Sequence, residues 1–348
     1  MQKIIISRDV CKCIEEAAVW DSYDKVFVLT DENTNSMCLT PVMKSATIRQ
    51  AKTITIKATD ANKTLESLSH VWKELSDNGC TRHSCLINIG GGMVTDLGGF
   101  AASTFKRGID FVNIPTTLLA MVDASAGGKT GINFNGLKNE IGVFNEAKSV
   151  IIDTVFLKTL THENLLSGYA EMLKHSILNG YDMWKEHICF NLEAPNFNTL
   201  LSMIEESVSV KQHIVDIDPH EKGIRKALNL GHTVGHAIES MSIKRGKPLL
   251  HGYAVAYGII CELYISCAIA GFPTKLMRQT ARFIYDNYGH WDFTCNDYEI
   301  LYSLMLHDKK NIGDNINFTL MADIGNIEIN KMASKELIFE ALDFFREN

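Results

Sequence analysis

The chain has 348 residues, more than one core comfortably holds, so two domains are expected. An apolar content of 46% with mixed charge describes a globular protein, and a net charge of -7 excludes general nucleic-acid binding, so any anion site must be a local pocket. Nine cysteines, an odd number with no C-x-x-C pair, point to reduced thiols in the cytoplasm; Cys11-Lys12-Cys13 reads as two thiols of an N-terminal helix rather than a metal motif.

In chain order, residues 1–9 have no long apolar core and no small-residue cleavage site, so they do not read as a signal peptide. Short β-branched runs at 4–6, 25–29, 53–57, 85–89, 111–114 and 149–152 alternate with helical patterns. Residues 64–75, for example, place Leu65, Leu68, Val71, Trp72 and Leu75 on one stripe. This alternation predicts an α/β domain over residues 1–160 with a Rossmann-like, mostly parallel sheet. Beyond about residue 160 amphipathic helices take over, at 164–179, 199–217, 227–242 and 254–270, which predicts an all-α domain over 161–348. The segment 254–270 is interrupted by Glu262 and is shorter than the roughly 20 residues of a membrane span. It reads as a buried helix, and no membrane partner is expected.

Candidate sites in the first domain begin where the run 85–89 meets Gly90-Gly91-Gly92-Met93-Val94-Thr95-Asp96. A glycine-rich strand-to-helix turn presents bare N–H groups and a helix N-terminus, which suit a pyrophosphate, although Thr95 stands where G-x-G-x-x-G has its third glycine; a plain tight turn is the other reading. Asp31, closing the run 25–29, either accepts hydrogen bonds from a ribose or caps the next helix. Gly127-Gly128-Lys129-Thr130 tempts a P-loop assignment, but Asp123 occupies the first glycine position and no clear strand precedes it, so an ATPase is rejected. Lys129, Lys138 and Asn139 can still meet an anion; each alone reads equally as a solvated side chain.

In the second domain, His232 and His236 lie four residues apart, one helical turn on the same face, and His251 follows a glycine-containing loop. Two satisfied core histidines are the alternative to a metal site. Gly231 and Gly235 strip the helix face of bulk, each costing roughly 1 kcal/mol of helix propensity relative to alanine, so something approaches the backbone closely. Thr233 excludes the HExxH protease motif. Glu171 and Lys174 fall on adjacent turns, as a surface ion pair or as a partly buried carboxylate that wants a cation; with His232 and His251, Glu171 would complete a zinc set with open positions. Lys211, Arg225, Lys309 and Lys310 add positive charge that, with Arg107, Lys129, Lys138 and Lys174, suits a multiply anionic small substrate.

Taken together, residues 90–99, Arg107, Pro115-Thr116-Thr117-Leu118-Leu119-Ala120-Met121-Val122-Asp123, Gly127-Gly128-Lys129-Thr130, Gly142, Glu171-Met172-Leu173-Lys174, Leu228-Asn229-Leu230-Gly231-His232, His251-Gly252 and Asp308-Lys309-Lys310 resemble the 3-dehydroquinate synthase family of sugar-phosphate cyclases, in the same order through most of the chain. The resemblance implies a cytosolic homodimer of the shikimate pathway, with an N-terminal NAD-binding domain and a helical domain enclosing the active site. It implies zinc, with cobalt as a substitute, on Glu171, His232 and His251. NAD contacts would fall on Asp31, Asp60, Lys63, Gly91, Gly92, Asp96, Thr116, Thr117, Lys129, Lys138 and Thr159. Asp123, Lys129, Asn139, Lys174, Lys211, Arg225, Asn229, His236 and Lys309 or Lys310 would line the pocket for a phosphorylated keto-acid sugar, and Arg107 would reach the partner subunit's phosphate site. Tyr253 departs from the family, where many relatives carry Glu, so support of the metal site is expected to differ. Two rivals stand beside this reading. A cyclase for a sugar lacking the carboxylate would leave Lys211 and Arg225 unexplained, and a metal-dependent polyol dehydrogenase would leave Lys129, Asn139 and Arg107 unexplained.

Overall fold

The computed structural model describes residues 2–125, 127–135, 137–307 and 316–348. It divides into two compact units, Met1–Thr161 with Asn196–Val208, and His162–Pro195 with Ser209–Asn348. The division is not a single cut in the chain, because the first turns of the helix Phe197–Ile217 belong with the first unit, where Leu200, Leu201, Met203, Ile204 and Val208 are buried.

The first unit runs β1 (Lys3–Ser7), α1 (Val10–Glu16), β2 (Val26–Asp31), α2 (Glu32–Met37), α3 (Leu39–Val42), α4 (Ala46–Gln50), β3 (Lys52–Ile56), α5 (Leu65–Asp77), β4 (Cys85–Gly90), α6 (Gly92–Thr104), β5 (Asp110–Pro115), β6 (Lys129–Phe134), β7 (Leu137–Phe144) and β8 (Ser149–Asp153). Six of these strands form one parallel sheet in the order β1-β8-β5-β4-β2-β3. These are the six β-branched runs of the sequence. Every residue of β4 and β8 is buried, which is why they read as continuous apolar runs rather than alternating ones. The strand order reverses between β2 and β4, and ligands of such sheets bind beyond the carboxyl ends at that point. Asp31 and Gly90 close those two strands.

The glycine-rich loop at 127–131 is a strand entrance. Lys129 opens β6, which pairs antiparallel with β7. All eight residues of β7 are exposed, so no buried face imposed an alternating pattern on the sequence. Because Gly-Lys-Thr leads into a strand, the helix that a P-loop requires is missing, in keeping with its rejection.

The second unit runs α7 (His162–Asn179), α8 (Tyr181–Cys189), the end of α9 (Phe197–Ile217), α10 (His232–Lys244), α11 (His251–Ile269), α12 (Thr274–Tyr288), α13 (Tyr298–Leu306), β9 (Phe318–Asp323), β10 (Asn326–Lys331) and α14 (Lys335–Glu347). Among the described residues its regular elements are helical apart from the antiparallel β9–β10 hairpin, which the expectation of an all-α domain omits. The helix predicted from residue 227 begins instead at His232. Gly231 takes φ +78°, which closes a 3-10 turn at Ile224–Asn229 and restarts the chain as a helix. α11 is long and apolar enough to span a membrane, yet most of it is buried inside the protein, as a core helix would be.

What approaches Gly231 and Gly235 is α11, not a ligand. A Cβ on Gly258 would lie 1.9 Å from the Gly231 carbonyl oxygen, and one on Gly235 would lie 2.8 Å from that of Ala254. Likewise, a Cβ on Gly252 would lie 1.8 Å from the Ser167 oxygen of α7. Three helices therefore touch backbone to backbone where their histidines and carboxylate are carried.

Candidate active site

At the end of β2, Asp31 caps α2, its Oδ1 accepting the Thr34 N–H at 2.8 Å in a reciprocal capping box. Gly91 is the N-cap of α6 and has no side chain to occupy the N–H groups of the first turn. A Cβ on Gly91 would press to 3.1 Å from Thr117 Cγ2, so the turn stays bare. The glycines that let α6 lie close to the sheet are Gly98 and Gly99, where a Cβ would meet Asn88 Oδ1 at 2.0 Å and Thr130 Cγ2 at 2.5 Å. That explains why Thr95 is tolerated at the third glycine position. Thr116 and Thr159 share the buried Cys38 thiol as a hydrogen-bond partner, and burial raises that thiol's pKa. Thr117 Oγ1 receives the Ala120 N–H at 3.2 Å and starts the π-helical turn Ala120–Ala124, which holds Asp123 half-buried.

A polar cluster joins five predicted residues of this unit. Lys63 is buried and donates to Asp96 Oδ2 and to Asn139 Oδ1, both at 2.5 Å. Burial pushes the Asp96 carboxyl up, against the pull of the Lys63 ammonium. Lys138 pairs with Asp60 at 3.4 Å. Asn133, which sequence reasoning missed, ties the cluster together: its N–H donates to Lys63 O at 2.8 Å, its Nδ2 to Asp60 O at 3.0 Å, and its Oδ1 accepts the Asn139 N–H at 3.0 Å. No motif marks it, because its role depends on the hairpin. Lys129 is exposed at the head of β6. Arg107 follows Lys106 in a left-handed pair, φ +68° and +49°, a strained backbone of the kind found at functional positions.

In the second unit, α7 carries Glu171, which is fully buried together with Lys174. Glu171 Oε2 takes the Lys174 ammonium, while Oε1 has no hydrogen-bond partner and lies 3.5 Å from Nε2 of both His232 and His251. The far nitrogen of each ring is engaged: His232 Nδ1 on Leu230 O at 3.1 Å and His251 Nδ1 on Glu239 Oε2 at 3.2 Å. Donation from those nitrogens leaves two Nε2 atoms facing a carboxylate oxygen, an arrangement that only positive charge stabilises. Burial disfavours a charged His251, yet the Glu171 and Glu239 carboxylates outweigh it and raise its pKa to about 10. The edge of a tetrahedral zinc shell with ligands near 2.05 Å is about 3.3 Å, close to the observed spacing. Glu171, His232 and His251 therefore fit a metal ion.

His236 packs beside the trio, its ring centroid 5.3 Å from that of His232 and 6.0 Å from that of His251. Lys211 and Arg225 are buried cations, and Arg225 donates to Pro219 O at 2.6 Å. Asn229 donates to Glu221 Oε1 at 3.0 Å. The 3-10 turn bearing Arg225 and Asn229 is braced by the hairpin, with Thr319 Oγ1 on Lys226 O and Lys226 Nζ on Asn330 Oδ1. Tyr253 packs edge-on against Tyr288, 5.2 Å between centroids, and the carboxylate that orients His251 comes from Glu239 of α10. Lys309 and Lys310 lie outside the described residues.

The fold is shared with cyclising synthases of known structure. The protein aligns with a 2-deoxy-scyllo-inosose synthase crystallised with carbaglucose-6-phosphate, NAD+ and Co2+, at TM-score 0.86 and 22% identity, over 99% of this chain and 96% of that one. It also aligns with the 2-epi-5-epi-valiolone synthase ValA of Streptomyces hygroscopicus, bound to NAD+ and Zn2+, at TM-score 0.82 and 22% identity, over 100% and 97%. Sequence narrows the class. Residues 53–167 match the N-terminal model of 3-dehydroquinate synthase and residues 168–311 its C-terminal model. A 3-dehydroquinate synthase of Parabacteroides distasonis is 48% identical over 347 residues, covering 100% of this chain and 98% of that protein. The chain belongs to the 3-dehydroquinate synthase family.

Proposed function

We propose that the protein converts 3-deoxy-D-arabino-heptulosonate 7-phosphate to 3-dehydroquinate and phosphate, as a cytosolic, homodimeric enzyme of aromatic amino acid biosynthesis. The observation that carries the reading is the Glu171–His232–His251 set, buried but for a half-buried His251, in a chain 48% identical to a synthase of that name. When bound, NAD supplies reversible removal of a hydride at C5, and zinc supplies polarisation of adjacent substrate hydroxyls.

The residues divide the remaining work. Asp31, Gly91, Gly92, Thr116, Thr117 and Thr159 hold the dinucleotide at the strand ends, with the Asp60, Lys63, Asp96 and Lys138 cluster fixing its reactive end. Lys129, Asn139, Asn229, His236 and the partner subunit's Arg107 neutralise the phosphate as it leaves. Lys211 and Arg225 bind the C1 carboxylate, and their burial favours an anionic partner over a neutral one. Asp123, Lys174 and Lys309 or Lys310 complete the pocket and hold the open-chain intermediate in one orientation for aldol closure. Nine free thiols suit a reducing compartment. The exposed Ile141, Val143 and Phe144 of β7 suit a covered surface in a homodimer.

The test is phosphate release from 3-deoxy-arabino-heptulosonate 7-phosphate with NAD and zinc, beside sedoheptulose 7-phosphate and a chelated control. Release from the acid sugar alone, abolished by chelation, is the expected result. Release only from the neutral sugar would assign another cyclase, and release from neither would revive the polyol dehydrogenase.

A further inference from the structure

The first-turn N–H groups of a helix need acceptors, and Gly231, the N-cap of α10, has no side chain to offer one. It cannot carry one either, since a Cβ there would meet Ile259 Cγ1 at 2.6 Å and Val255 O at 2.9 Å. The acceptor comes from the other helix. Glu262 of α11, fully buried, takes the Gly231 N–H on Oε2 at 2.6 Å and the Thr233 and Val234 N–H groups on Oε1 at 2.9 and 3.1 Å. One carboxylate thus grips the residues on both sides of His232.

His251, Val255, Gly258 and Glu262 recur at spacings of four, three and four, so they share one stripe of α11, and the middle two meet Gly231 and Gly235 of α10. At the opposite end of that stripe Glu239 of α10 reaches back to His251 Nδ1. The helices exchange carboxylates, each one holding a histidine or its flanks on the neighbour.

We infer that Glu262 is a positioning residue of the metal centre: it sets the register of α10 along α11 and thereby the place of His232 Nε2 relative to Glu171 and His251. This rests on the metal reading above. Burying a carboxylate carries a desolvation cost, offset here by three N–H donors and the positive end of a helix dipole.

The test uses full-length Glu262→Gln, Glu262→Asp and Ile259→Ala. Ile259 also lies against Gly231, so its truncation loosens the same helix contact without touching the carboxylate. Zinc Kd by competition with a chromophoric chelator, the visible bands of the Co2+-loaded protein and the unfolding midpoint of the chelated protein are measured for each. Glu262→Gln should weaken zinc binding by about ten- to a hundredfold and alter the Co2+ bands. Glu262→Asp should recover part of the affinity, and Ile259→Ala should lower the midpoint while keeping both Kd and bands. Wild-type affinity and bands in Glu262→Gln would overturn the inference, as would an equal loss of zinc in Ile259→Ala at a matched midpoint. If the Gln variant does not fold, Glu262→Asp decides: weakened binding supports the role and unchanged binding overturns it. A wild-type chain that binds no zinc would overturn the metal reading itself, and this inference with it.

Discussion

Glu171 divides its two oxygens between a buried ammonium and a pair of imidazoles, so removing its charge has two consequences. In Glu171→Gln the proposed metal site loses its anionic ligand and Lys174 is left as a buried charge without its partner carboxylate. We expect zinc affinity, read by competition titration, to fall by at least about a hundredfold, and urea unfolding to show a loss of about 3 kcal/mol. A second buried group gives a pH signature away from the metal. His187 is fully buried, with Nδ1 on Met183 O at 2.8 Å and no partner for Nε2, and burial lowers its pKa from 6.5 to about 4. Between those values the unfolded chain binds a proton that the folded chain does not, so stability falls as pH drops from 6.5 toward 4 and the loss is complete below 4. His187→Leu should therefore lose less stability than wild type between pH 7 and 4.5, by about 2–3 kcal/mol. Equal slopes in urea titrations at the two pH values would refute it.

At the scale of elements, what could be read from sequence tracks whether an element buries apolar side chains at all. All six strands of the parallel sheet were visible as short β-branched runs, α7 and α9 because their apolar residues recur at helical spacing, and α11 as a long apolar run, buried on all sides rather than amphipathic as expected. The β6–β7 hairpin was hidden because β7 buries nothing, and the start of α10 was misplaced because a left-handed Gly231 interrupts a segment that looks helical throughout. The candidate ligands Glu171, His232 and His251 were legible by type and spacing. Asn133, Glu239 and Glu262 were not, since their significance is a contact with a residue distant in sequence; Glu262 read only as a blemish in an apolar run. The glycines of the α10–α11 crossing were visible, but their purpose was not. Their steric role is directly testable: Gly258→Ala places a methyl 1.9 Å from the Gly231 carbonyl oxygen, so the helices must separate. A loss of about 3 kcal/mol or more in denaturant unfolding, with zinc affinity falling in parallel, is expected.

At the scale of the whole molecule, the proposed role of Arg107 makes activity a property of two chains. Its strained left-handed turn and the exposed apolar side chains of β7 lie in the same unit, and a twofold dimer would use each of them twice. If Arg107 serves the partner's phosphate site, Arg107→Ala and Lys129→Ala should each be nearly inactive alone, yet complement one another when coexpressed. Random pairing makes about half of the dimers mixed, and in each mixed dimer one site receives its own intact Lys129 and the partner's intact Arg107 while the other lacks both. The expected phosphate-release rate is therefore about a quarter of wild type. Light scattering should give about twice the 38.9 kDa of one chain. A dimeric mass without complementation would place Arg107 in its own subunit's site, and a monomeric mass with full activity would remove the partner from the mechanism altogether.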